Sequence, residues 1–143
     1  MAHPAGRSHP RGLRVATVSS PGDGEPWTLD RFFEGSATAY DIYRAAEHMA
    51  SGLGPLEVWV SKSQVSFRRR RSFAFVWRPG SYVKSSVPAV LSLALPYQSA
   101  SPRFKQIAHP SAGIWMHHLE LPDSTQLDAE VQEWMREAYE AAG

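Results

Sequence analysis

The stretch Gln64-Val-Ser-Phe-Arg-Arg-Arg-Arg-Ser-Phe-Ala-Phe-Val-Trp-Arg78 decides how this chain is expected to fold. Apolar residues alternate with other residues on both sides of Arg68, Arg69, Arg70 and Arg71. A period of two, interrupted by a short polar run, predicts two strands joined by a cationic turn. Phe73, Phe75 and Trp77 are expected on one face of the second strand. Working outward, residues 56–62 alternate in the same way. Leu56, Val58 and Val60 fall on one face, with Glu57, Trp59 and Ser61 on the other. Pro79-Gly80 signals a turn. Ala89–Leu95 predicts a further strand with Leu91, Leu93 and Leu95 together. In Ile114–Leu121, Trp115, His117, Leu119 and Leu121 oppose Ile114, Met116, His118 and Glu120. Residues 96–110 are expected to form a long connection carrying Arg103, Lys105 and His109.

Helical spacing lies outside this run. Thr28 is expected to cap a short helix at 29–33, and Ser36 to cap a second in which Ile42, Ala46, Met49 and Leu53 recur. Gly52, Gly54 and Pro55 end it. Thr125 with Asp128 has the spacing of a capping box for a last helix. That helix sets Leu127, Val131, Trp134 and Ala138 on one side and Asp128, Glu130, Glu133, Glu137 and Glu140 on the other. Helices, then strands with short links, then a helix predict an α+β fold of two layers. Its sheet is expected to be largely antiparallel, of about five strands, with the N-terminal and C-terminal helices on one face. Ile42, Met49, Val131 and Trp134 are expected against Leu91 and Leu93. Residues 1–26 read as a poorly ordered N-terminal arm, although Leu13, Val15 and Val18 give part of it an apolar side to lay along the domain. Residues 27–143 read as a single domain.

The chain has 143 residues, enough for one core, and 43% of them are apolar. It has no cysteine, which excludes disulfides, thiolate metal ligands and cysteine nucleophiles and fits a cytoplasmic protein. No apolar run approaches the ~20 residues of a membrane span, and the first residues lack an apolar signal core. The net charge is only +1, so any case for nucleic acid rests on charge distribution. That distribution is lopsided. Between Glu57 and Glu120 there is no acid, while the interval holds Lys62, Arg68 to Arg71, Arg78, Lys84, Arg103 and Lys105.

Several segments together resemble a bacterial family known as domain of unknown function 5655. They are Leu53-Gly54-Pro55-Leu56-Glu57-Val58, Ser61-Lys62-Ser63-Gln64-Val65-Ser66-Phe67 and Arg71-Ser72-Phe73-Ala74-Phe75-Val76-Trp77. Arg103-Phe104-Lys105, His117-His118, Leu127-Asp128 and Trp134-Met135-Arg136-Glu137-Ala138-Tyr139 fit as well. The resemblance runs from about Trp27 to Tyr139 and implies one domain. It implies no activity. Members are sometimes labelled predicted transport proteins, a label that no membrane segment here supports.

Lys62, Arg68, Arg69, Arg70, Arg71, Arg103 and Lys105 are the candidate anion-binding residues, because a guanidinium fork suits phosphate. The first functional reading is therefore a non-enzymatic module for an anionic partner, nucleic acid in the simplest case. The opposing reading is a solvated turn, or internal pairing with the acidic last helix. The second is a small-molecule-binding or self-associating (homodimeric) domain using the uncovered sheet face. The third is a hydrolase using His117 or His118 with Glu57 or Glu120. No Walker loop, nucleophile elbow or HExxH sequence occurs. Adjacent His117 and His118 point to opposite faces of a strand, so no metal and no cofactor are expected. His117 reads as a hydrogen-bonded core histidine.

Overall fold

The computed structural model describes residues 13–17, 25–81 and 86–143. In chain order these form β1 (Leu13–Thr17), α1 (Leu29–Phe32), α2 (Ala37–Ser51), β2 (Leu56–Val60), β3 (Val65–Arg68) and β4 (Ser72–Trp77). There follow β5 (Ala89–Leu95), β6 (Gln106–Ser111), β7 (Ile114–Leu121) and α3 (Ala129–Ala141). The strands make one sheet in the order β1-β2-β3-β4-β5-β7-β6. β1 runs parallel to β2, and every other neighbouring pair is antiparallel.

The helices begin where short polar side chains occupy open backbone donors. Thr28 Oγ1 accepts from the Arg31 amide at 3.2 Å and Ser36 Oγ from the Ala39 amide at 3.1 Å. α3 packs on β4 and β5, and α2 packs on β5 and α3. Both cover the same face of the sheet. There Val58, Val60, Val65, Phe67, Ala74, Val76, Leu91 and Leu93 are buried with Ile42, Ala46, Val131, Trp134 and Met135. Met49 packs half-buried against this core. Ring contacts run through it from Phe33 to Tyr43, Phe67, Phe73 and Tyr139. Such pairs contribute ~0.5–1.5 kcal/mol each beyond the area they bury. The α+β architecture with helices from both ends of the chain on one face is as expected.

Several details refine or correct the expectation. The sheet has seven strands, roughly consistent with the about five expected, the two additional ones being edge strands. Within the arm, residues 13–17, which include the apolar Leu13 and Val15, form the parallel edge strand β1; the arm's residues 1–12 and 18–24 lie outside the described residues. Residues 106–111, assigned to a connection, form β6, whose mostly exposed pattern hides any alternation. It contains Pro110, which only an edge strand tolerates without losing a ladder bond. Phe73 does not share a face with Phe75 and Trp77. The register shifts where Phe67 pairs with Ala74 and Arg68 with Ser72, and this bulge turns Phe73 into the core against Tyr139. Thr125 is not the cap of α3. It lies in a short 3-10 turn held by the Asp123 carboxylate, and Asp128 caps the helix by accepting from the Val131 amide at 3.1 Å.

Candidate functional site

The seven basic residues do not converge. Lys62 is exposed in the turn between β2 and β3, whereas Arg69, Arg70 and Arg71 form the turn between β3 and β4. The four residues of β3 lie between those ends, roughly 13 Å at the usual strand rise. Arg103 is held on the last helix. It donates to Asp128 at 3.1 Å, Glu130 at 2.8 Å and the Gln126 carbonyl at 3.0 Å, with its guanidinium above Trp134. The Val131 amide and then Arg103 hold the Asp128 carboxyl below its usual range. Lys105 is exposed at the far side of the sheet, its amide bonded to the His118 carbonyl at 2.8 Å.

Within the arginine turn the roles also divide. Arg69 Nη1 donates to the Tyr139 carbonyl at 2.9 Å, and its guanidinium carbon lies 4.0 Å from the Tyr139 ring centroid. This cation satisfies a carbonyl at the negative end of α3. The Arg70 amide donates to the Ala142 carbonyl at 3.1 Å. Arg68 lies opposite Glu57 with its guanidinium 5.3 Å from the Trp59 ring. The side chains of Arg70 and Arg71 are exposed and make no ion pair among the described residues.

A different constellation comes from the register. Trp59, Ser66, Phe75, Ser92, His118 and Gln106 pair in succession across β2, β3, β4, β5, β7 and β6. Their neighbours along each strand point into the helical layer, so this row faces the other way. Rings alternate with serines. Trp59, Phe75 and His118 are half-buried walls, while Ser66 and Ser92 are floors, only 8% and 2% exposed.

Ser92 ties His118 to a further ring, Trp77. Trp77 Nε1 donates to Ser92 Oγ at 2.9 Å, and Ser92 Oγ lies 2.6 Å from His118 Nδ1. The serine accepts from the indole; toward Nδ1 it either donates its own proton, with the imidazole proton then on Nε2, or accepts from Nδ1 with its second lone pair, so the contact is satisfied in both neutral tautomers. Burial, and then the neighbouring His117, push the His118 pKa down and favour the neutral ring. The indole and imidazole meet edge to face, 6.0 Å apart at 87°. Ser63, Gln64, Phe75, Trp77, Ser92, Met116 and His118 line a cavity of about 420 Å³ here.

His117 faces the core and is fully buried, as its alternation with His118 requires. Its Nδ1 meets the Trp115 carbonyl at 2.9 Å and its Nε2 accepts from the Ser99 amide at 3.0 Å. Burial lowers its pKa. Among the described residues no three His, Asp or Glu side chains are grouped to hold a metal ion. Glu57 and His118 lie four strand spacings apart, roughly 19 Å. A larger hollow of about 830 Å³ lies between Ser36, Arg78, Val87 and Glu120. Its Arg78 is already committed to the Phe32 and Glu34 carbonyls, at 2.9 and 3.0 Å.

The sequence reading missed Trp77, Ser92 and His118 as a unit. The signal was Ser92, the lone polar residue in Ala89–Leu95. A serine there needs a partner on the face opposite Leu91 and Leu93.

The model of a domain of unknown function, DUF5655, matches residues 29–142, well over half of the chain. The chain belongs to the DUF5655 family. No curated protein and no solved structure matches it. The match to DUF5655 spans both helical ends and β2 through β7, so the Trp77–Ser92–His118 cluster lies inside the family domain. Among the described residues, no helix of this DUF5655 domain is long and apolar enough to cross a membrane.

Proposed function

We propose that this DUF5655 domain is a non-enzymatic binding module whose ligand site is the open sheet face around Trp77, Ser92 and His118. The observation that carries the reading is the buried Ser92 hydroxyl bridging an indole and an imidazole from different strands. Ordering side chains is a main cost of association, and here two ring walls are already held. The cavity falls within the ~300–1,000 Å³ common for small-molecule sites, and its lining is mostly apolar with a few convergent polar groups. A hydrolase that pairs His118 with Glu57 is disfavoured because the two are remote, and one that uses Ser92 as nucleophile because that serine is only 2% exposed.

A thermal-shift screen of the full chain against nucleotides, short oligonucleotides and metabolites tests this, because a ligand of the native state raises the midpoint. A hit should weaken in Trp77→Leu and His118→Leu and persist in the Arg70→Ala, Arg71→Ala double variant. A hit that ignores the first two variants places the site elsewhere.

Exposed Arg70 and Arg71 support a second reading, a phosphate-bearing partner at the β3–β4 turn. The double variant should then lower the salt slope of oligonucleotide binding by about one for each phosphate left without its arginine. Absence of oligonucleotide binding at low salt refutes this second reading.

A further inference from the structure

We propose that the open-face site takes an uncharged, flat heteroaromatic ring with a hydrogen-bonding edge, the chemistry of a nucleobase or nucleoside without its phosphate. The proposal rests on the open face being the ligand site.

Three observations point to this class. First, of the seven residues lining the cavity none carries a fixed charge. A charged ligand entering it would lose water without meeting a counter-ion. Second, the walls are rings and a thioether. Phe75 and Trp77 are half-buried, and Trp77 stands on edge to His118. A flat guest lying against one of these rings meets the other at its own rim, where ring nitrogens and carbonyls of a heterocycle lie. Met116 adds a polarizable contact that suits an aromatic rim. Third, the polar groups are few. With Nδ1 bound to Ser92, the ring nitrogen of His118 left for a guest is Nε2, a donor in one neutral tautomer and an acceptor in the other. The Gln64 amide at the cavity edge supplies both a donor and an acceptor. A saturated apolar guest would leave these groups unpaired, whereas the edge of a heterocycle matches them.

The test uses the full chain with adenosine, uridine, adenosine 5′-monophosphate, benzoate and cyclohexanol, followed by calorimetric titration and melting. Adenosine or uridine should bind, and adenosine 5′-monophosphate should bind no tighter than adenosine. His118→Phe, which keeps a ring and removes its hydrogen-bonding nitrogens, should weaken nucleoside binding at least tenfold, as should Trp77→Leu. If either variant fails to fold, Gln64→Ala at the cavity edge should still weaken nucleoside binding severalfold. Tighter binding of benzoate or the monophosphate than of adenosine overturns the ligand class and leaves the site standing. So does cyclohexanol binding that His118→Phe leaves unchanged. Failure of every probe, together with an empty broader screen, overturns both the class and the site. A dimer in sedimentation equilibrium that Trp77→Glu dissociates, with no ring bound, makes a second copy the occupant and overturns the proposal.

Discussion

Replacing Arg69 by alanine should cost stability that replacing Arg70 or Arg71 does not. Arg69 Nη1 lies 2.9 Å from the Tyr139 carbonyl, and its guanidinium carbon 4.0 Å from the Tyr139 ring centroid. A hydrogen bond from a charged donor contributes ~1.5–3 kcal/mol when sheltered. An exposed cation–π contact adds ~0.5–1 kcal/mol, and a cation in the last helical turn ~0.3–1 kcal/mol. One guanidinium makes all three contacts, so they overlap. Arg69 is exposed and solvent screens it, which reduces the expected loss to about 1–2 kcal/mol. For a chain of this size that is a fall in Tm of roughly 3–10 °C. Arg70→Ala and Arg71→Ala should stay within about 0.5 kcal/mol of the parent. Arg69→Lys should fall between, since it keeps the charge and loses the planar fork. Urea denaturation followed by circular dichroism, with a common m-value, measures the series. Equal midpoints for Arg69→Ala and Arg70→Ala would refute the assignment of Arg69 to the end of α3.

Trp134→Ala should cost about 3–5 kcal/mol, because the indole is 7% exposed and packs 4.5 Å from the Phe104 ring; an unchanged denaturation midpoint refutes it. Gly54→Ala should destabilise by about 1–3 kcal/mol, since Gly54 has φ +147° and an added Cβ would sit 2.3 Å from Tyr139 Oη. The companion variant Tyr139→Phe removes that oxygen and its 3.0 Å bond to the Pro55 carbonyl, and combined with Gly54→Ala it should recover part of the loss on melting. His117 has its folded-state pKa lowered by burial, so its contribution is complete above the unfolded value of ~6.5 and falls away as pH drops through the lower folded value. Parent Tm should therefore drop between about pH 6.5 and the carboxylate range more steeply than that of His117→Gln, and parallel profiles would contradict this.

How legible the molecule was depends on whether a feature is local. The strands at β2, β5 and β7 read directly, since burial on one face writes a period of two into Leu56-Val58-Val60 and into Leu119-Leu121. The edge strand β6 did not, because an exposed edge has no face to bury and so leaves no alternation. The bulge beside Arg68 did not either. A shift of register depends on the partner strand, and it moved Phe73 away from Phe75 and Trp77. The basic residues illustrate the same limit. Their count was plain, yet Arg69 bonds a carbonyl 70 positions away and Arg103 a carboxylate 25 positions away.

By itself, then, the amino-acid sequence determined the α+β class, the helices at both ends, the core face of most strands and the divergence of His117 from His118. Each follows from side-chain period and capping within a few residues. Only the tertiary structure decided which strands are neighbours, which arginines are held internally and that Trp77, Ser92 and His118 form one hydrogen-bonded unit. Those are consequences of register between strands far apart in the chain. Pairing of Ser92 with His118 and with Phe75 is set by how β4, β5 and β7 align over the common core, and nothing local to any one of them specifies it.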